Sequence, residues 1–197
     1  MVKAQREASS DLAHDGTSGD WYFDVTKSGG YLIEQSVHNL DLCNWVIGAH
    51  PTRAAGFGAI LMYKNDPPGR TIFDCGTLSF DYPKGVKMSF TQNVFHPQTM
   101  PNGNQYVYVY GTKGAVDLMG GTILYPPGRD ATPRPLAAKQ DEPQFAHIVA
   151  FYEAVTKGGK LPADITIGAT AALTAILGHE AMAREKVVNW TDLGVNL

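Results

Sequence analysis

The sequence predicts an α+β domain: one open, mainly antiparallel sheet with helices packed on one face. Three observations carry the prediction. A helical stretch at residues 31–48 precedes five or so β-like segments, and two more helical stretches close the chain. The β-like segments follow one another through short turns, whereas a parallel pair needs a crossover of a dozen or more residues. At 197 residues the chain is one ordinary domain, large enough to bury a sizeable core.

Taken in order, residues 2–8 (VKAQREA) alternate weakly and predict a strand. Residues 9–20 are rich in Ser, Asp and Gly and predict an exposed loop, which ends in the aromatic trio Trp21-Tyr22-Phe23. Gly29-Gly30 suits a sharp turn into the helix at 31–48, and Gly48 with Pro51 supplies its stop. Residues 52–63 are strand-like. Their Gly56-Phe57-Gly58 resembles the start of a dinucleotide fingerprint but lacks the third glycine and the following helix. After a turn at 65–69, residues 71–82 and 85–95 predict a hairpin across Pro83-Lys84-Gly85. A loop at 96–104 leads to QYVYVY at 105–110, which sets Tyr106, Tyr108 and Tyr110 on one face and the valines on the other. Two short β-segments, 115–118 and 122–125, come before a Pro-rich surface connection at 126–143. The helix at 143–157 carries Phe145, Ile148, Val149, Tyr152 and Val155 at helical spacing. Asp164 is the expected N-cap of an Ala-rich, buried helix at 165–186, and the end returns as a short strand or arm.

The charge balance, 16 Lys+Arg against 19 Asp+Glu, is mildly acidic and contains no basic block. That gives no electrostatic support for binding nucleic acid or a membrane surface. No apolar run approaches the roughly 18 residues that span a bilayer, and the first residues have no signal-peptide core. Cys43 and Cys75 have no metal or redox spacing and read as buried free thiols, which fits a cytoplasmic location. An open sheet with a Tyr-rich exposed face needs covering, so a homo-oligomer through that face is expected.

The chemistry concentrates in the helix at 31–48. At roughly 100° per residue, Glu34, His38, Asp41 and Trp45 fall in a narrow arc. Ile33, Val37, Leu40, Leu42, Val46 and Ile47 cover most of the rest. Three readings stay open for the row. His38 is a core histidine held between carboxylates; or Glu34, His38 and Asp41 ligate a metal, although no HExxH pattern is present; or His38 is a general acid/base tuned by a carboxylate. His147, His179 and Glu180 read as structural or surface residues.

The run from Ser28-Gly29-Gly30 through Glu34, His38, Asp41 and Trp45 to Gly48 and Pro51 resembles a family signature. It is similar to the sGGg-x3-D/E-x3-H-x2-D-x3-W helix of the glucose-fructose oxidoreductase / inositol dehydrogenase / MocA type of NAD(P)-dependent dehydrogenase. Matching features follow in order: the Gly111-Thr112-Lys113-Gly114-Ala115 turn, the Phe145 to Phe151 helix leading to Gly158, and the Ala-rich helix with Gly178. The resemblance is to the C-terminal half of that family. It implies a single substrate-binding and oligomerisation domain over 1–197. NAD or NADP would be bound by a Rossmann domain absent from this chain, with no cofactor or metal here. It further implies a sugar or polyol substrate. His38 takes the position of the base that removes the hydroxyl proton. Glu34, where the family more often has Asp, assists it, and Asp41 contacts substrate or orients the network. Trp21, Lys27 and Gln92 are implied pocket contacts. The alternatives are a redox-neutral NAD-dependent glycosidase of the same family and a stand-alone, non-catalytic carbohydrate-binding or assembly domain.

Overall fold

The structure, a computed structural model, describes residues 1–7, 20–97, 105–125, 132–136 and 145–195. Short turns and alternating sequences do what they predict: the described strands form one sheet of nine, β8-β7-β6-β5-β1-β4-β3-β2-β9. In chain order these are β1 (Val2–Glu7), β2 (Arg53–Ala59), β3 (Cys75–Asp81), β4 (Lys87–Asn93), β5 (Gln105–Tyr110), β6 (Ala115–Asp117), β7 (Thr122–Leu124), β8 (Arg134–Pro135) and β9 (Val188–Asn189). β1 runs parallel to β4, and each of the other strand pairings is antiparallel. The first strand thus lies in the middle of the sheet, with Ala4 opposite Phe90 on one side and Val107 on the other.

One face of the sheet is the core. Val2, Ala4, Leu78, Phe80, Met88, Phe90 and Val107 point inward and are buried. They meet α2 (Val37–Ile47) and α4 (Ile165–Arg184), which also pack against each other. Two glycines set how close α4 lies. A Cβ on Gly178 would come within 2.9 Å of the Phe80 ring, and one on Gly76 within 2.6 Å of the Met182 sulfur. A buried polar chain pins the layers: Tyr82 Oη donates to Asn44 Oδ1 at 2.7 Å, and Asn44 Nδ2 donates to Thr174 Oγ1 at 2.9 Å. Such groups are costly to bury unless paired, so these bonds select one register of α2 against α4.

The outer face carries the predicted tyrosine row. Tyr106 and Tyr108 stack at 4.8 Å, and the Lys3 ammonium lies over the Tyr106 ring. Phe57 is exposed on the same side of β2 as Arg53, because side chains two apart share a strand face.

Several expectations change. β2 ends at Ala59 and β3 starts only at Cys75, because the buried Asp74 carboxylate gathers the backbone N–H groups of Leu61, Met62 and Tyr63. That carboxylate replaces the ladder partners those amides would have had. β8 falls inside the expected Pro-rich connection, paired with β7. Residues 126–131 and 137–143 of that connection, residues 8–19 of the first loop and residues 98–104 of the loop before β5 lie outside the described residues. Cys43 is buried as expected, whereas Cys75 is half-buried. α4 has the length and apolar content of a membrane span, against the reading of the sequence, but Ala175, Leu177, Ala181 and Met182 on its inner side pack into the core as those of a core helix do. The largest difference is α3 (Ala146–Lys157). It forms where its spacing predicts, yet none of its residues is buried, and Phe145, Ile148, Val149, Tyr152 and Val155 are all exposed.

Candidate active site

The polar row is positioned by a sequence of local locks. Asp24 caps the short helix α1 (Val25–Ser28) by accepting from Thr26 N at 3.0 Å and Thr26 Oγ1 at 2.7 Å. Ser28 is buried; its hydroxyl donates to Tyr22 O at 2.6 Å and accepts from Gly30 N at 2.9 Å. Gly29 and Gly30 have φ of 74° and 83°, left-handed angles that other residues seldom adopt. The expected glycine turn is therefore present, and Gly48 closes the other end at φ 72°.

Between these ends the helix changes type. Leu32–Ser36 is a π-helical segment, and α-helix begins only at Val37. A π turn is rare and occurs frequently at functional sites, because it offsets the side chains before it from those after it. Here Leu32, Ser36, Leu40 and Cys43 point inward, leaving Glu34 and Asp41 half-buried and His38 and Trp45 exposed.

His38 is thus not a core histidine. Among the described residues neither Glu34 nor Asp41 hydrogen-bonds to its ring. Burial pushes the Asp41 carboxyl above the usual range, and the nearby His38 charge pulls it partly back. Gln92 lies buried on the inner face of β4, where its Oε1 accepts a long hydrogen bond of 3.5 Å from Ser36 Oγ. That bond places the end of β4 directly under the π turn. On the segment before the helix, Trp21 packs edge-on against Tyr22, and exposed Lys27 pairs with Asp24 at 3.3 Å.

Sequence reasoning missed the groups that brace this end of the sheet. Asp74 holds residues 61–63 as described, and the Arg70 guanidinium lies between the Phe23 and Tyr63 rings at 5.5 and 5.3 Å. Arg70 Nε also donates to Ile72 O at 3.2 Å. A lone Asp before a Cys and a lone Arg after a Gly give no periodic signal, so nothing in the sequence marks them.

An exposed imidazole can exchange a proton with a ligand hydroxyl. Among the described residues no three His, Cys, Asp or Glu side chains gather as a metal set. Gly56-Phe57-Gly58 lies inside β2, where a Cβ on Gly56 would sit 2.3 Å from Thr77 O. Its glycines serve strand packing.

Residues 2–117 match the model of the GFO/IDH/MocA C-terminal domain. The chain belongs to that family. Solved structures with the same fold include a levoglucosan dehydrogenase in complex with NADH and levoglucosan (15% identity, TM-score 0.73, 97% of this chain and 58% of that one). An oxidoreductase of Thermotoga maritima matches at 18% identity and TM-score 0.69, over 98% of this chain and 54% of that one. A chain of Sinorhizobium meliloti 1021 assigned as a myo-inositol dehydrogenase matches at 18% and 0.65, over 96% and 56%. No curated protein sequence matches. This GFO/IDH/MocA C-terminal domain therefore spans little more than half the length of the structures it resembles, and at these identities the likeness is one of fold.

Proposed function

We propose that this domain is the substrate-binding and catalytic-base part of an NAD(P)-dependent oxidoreductase acting on a sugar, a polyol or a sugar derivative. The observation that supports it most is the exposed His38 imidazole, carried on α2 just after a π turn and close to Asp41. Oxidising a secondary alcohol requires a base within hydrogen-bond reach of the hydroxyl. In this reading His38 accepts that proton. Glu34 and Asp41 accept from neighbouring hydroxyls of a polyhydroxylated ligand. Trp21, Lys27 and Gln92 complete the pocket. Gln92 acts from beneath, through Ser36, and Trp21 and Lys27 act from the segment before the helix. The nicotinamide coenzyme is held by a second domain of the parent polypeptide, and the outer sheet face joins copies of the enzyme.

The test is His38→Ala in the full-length enzyme. A fall in kcat of about 10²- to 10⁴-fold is expected for loss of a general base. The melting temperature should not change, because the side chain is exposed. An unchanged rate would sink the assignment. The 197-residue chain alone should reduce no coenzyme with any sugar or polyol; turnover by it would show that the second domain is not needed.

A further inference from the structure

We propose that the groove between α2 and the start of α4 is a second subsite that holds a neutral sugar ring, so that the parent enzyme acts on a disaccharide or other glycoside, an inference that rests on the function proposed above. The polar row runs into this groove. Asp41 and Trp45, its last two members, line a hollow of about 280 Å³ together with Thr166 and Thr170 in the first turns of α4. A second hollow of about 600 Å³ adjoins it; His50, Thr166 and Thr170 line both, and Trp190 lines the second. The His50 ring stacks on Trp190 at 4.1 Å, which fixes its position on the groove. Trp45 is 74% exposed, a large indole left in water beside a concave surface.

The polar groups on the groove are acceptors. Asp41 offers carboxyl oxygens. Thr170 Oγ1 gives its proton to Thr166 O at 2.7 Å, so its acceptor lone pairs remain for a ligand. His50 Nδ1 lies 3.0 Å from Pro51 O, and a neutral ring that donates there keeps Nε2 as an acceptor. Acceptors beside an indole suit a ring with an apolar C–H face and hydroxyl donors at its edge, which is a sugar. No Lys or Arg is among the described residues that line either hollow. The first turn of α4 is no substitute, because Asp164 already accepts from Ile167 N at 3.0 Å. A phosphate or a nucleotide diphosphate would bring negative charge beside Asp41 without a counter-charge. Asp41 also joins the groove to the chemistry. It stands about 4.5 Å of helix rise from His38, and the His38 charge acts on its carboxyl. A ring in the groove is therefore the neighbour of the ring whose hydroxyl His38 deprotonates, which is the relation of two sugars in a glycoside.

The experiment measures coenzyme reduction by the full-length enzyme with glucose and galactose, with cellobiose, maltose and lactose, and with glucose phosphate and uridine diphosphate glucose. The best disaccharide is expected to exceed its free hexose in kcat/KM by more than about tenfold, through contacts remote from the reacting carbon. Trp45→Ala should remove that preference while leaving kcat/KM for the free hexose within about twofold. Thr166→Trp, which fills the groove, should do the same. Both positions are exposed, so the variants should melt as the wild type does. A free hexose, a hexose phosphate or a nucleotide-linked hexose turned over faster than every disaccharide would overturn the proposal. So would variants that keep the preference, or that lose the same factor on both kinds of substrate. The two readings fail separately. A His38→Ala enzyme that keeps its rate removes the catalytic-base assignment but not a preference that depends on Trp45. If no sugar in the set reduces coenzyme, calorimetry of disaccharide binding to the full-length protein decides the groove. Binding that Trp45→Ala weakens supports it; no binding, or binding that the variant leaves unchanged, overturns it.

Discussion

Asp41 shows how a side chain's surroundings become a measurable property of the whole protein. Its carboxyl is raised by burial, so over the interval between the ordinary value and the folded one the native state keeps a proton that the unfolded chain has released. Folding stability therefore falls as pH rises through that interval. Asp41→Asn removes the titration. Its melting temperature relative to wild type should shift upward as pH rises above the ordinary carboxylate value. The shift should be larger in a His38→Ala background, because the imidazole charge lowers the Asp41 value. Thermal melts across that range check both; a difference that does not vary with pH would mean Asp41 is not desolvated. Residue identity was legible where it acts locally: the glycine turn, the Gly48 stop and the Asp164 cap, which accepts from Ile167 N at 3.0 Å, are all where their types predict. It was not legible where a side chain acts on a distant backbone, as Asp74 does.

The elements show the same division. α4 contains two glycines whose roles are opposite. Gly178 faces the sheet, where an added methyl would meet Phe80, Leu78 and Leu32 at 2.9–3.2 Å, whereas nothing lies within 4 Å of Gly168. Gly168→Ala should stabilise by about 0.5–1 kcal/mol through helix propensity alone. Gly178→Ala gains the same propensity but overpacks the core, which costs about 1–3 kcal/mol, so its net effect should be destabilising. Urea unfolding of the pair checks this, and equal effects would mean α4 is not seated as closely as its glycines imply. Periodicity located the helix at 31–48 but not its π segment, because the pattern of apolar positions reports a buried face and not the hydrogen-bond ring size. The spacing of α3 predicted its helix but not its exposure, since an apolar stripe states only that a partner is needed.

For the whole molecule, an open sheet of nine strands with helices on one face leaves the other face to be covered. Lys3, Tyr106 and Tyr108 form a stacked polar-aromatic surface at its centre, a composition common at subunit interfaces. If this face joins two copies, Tyr106→Glu with Tyr108→Glu should convert a dimer to a monomer in sedimentation, with the core melting little changed. A wild-type chain that is monomeric at tens of micromolar would rule the interface out.

The sequence alone determined the α+β class, the hairpin across Pro83, the tyrosine row and the helix carrying Glu34, His38 and Asp41. Each of these rests on periodicity, glycine stereochemistry or a short signature, and all are properties of neighbouring residues. Only the tertiary structure decided that β1 lies between β4 and β5, that His38 faces outward while Gln92 lies beneath the π turn, and that α3 and Trp45 remain uncovered. Those outcomes depend on which surfaces meet. A chain specifies that through the summed burial of residues far apart in sequence, and no local pattern records the sum.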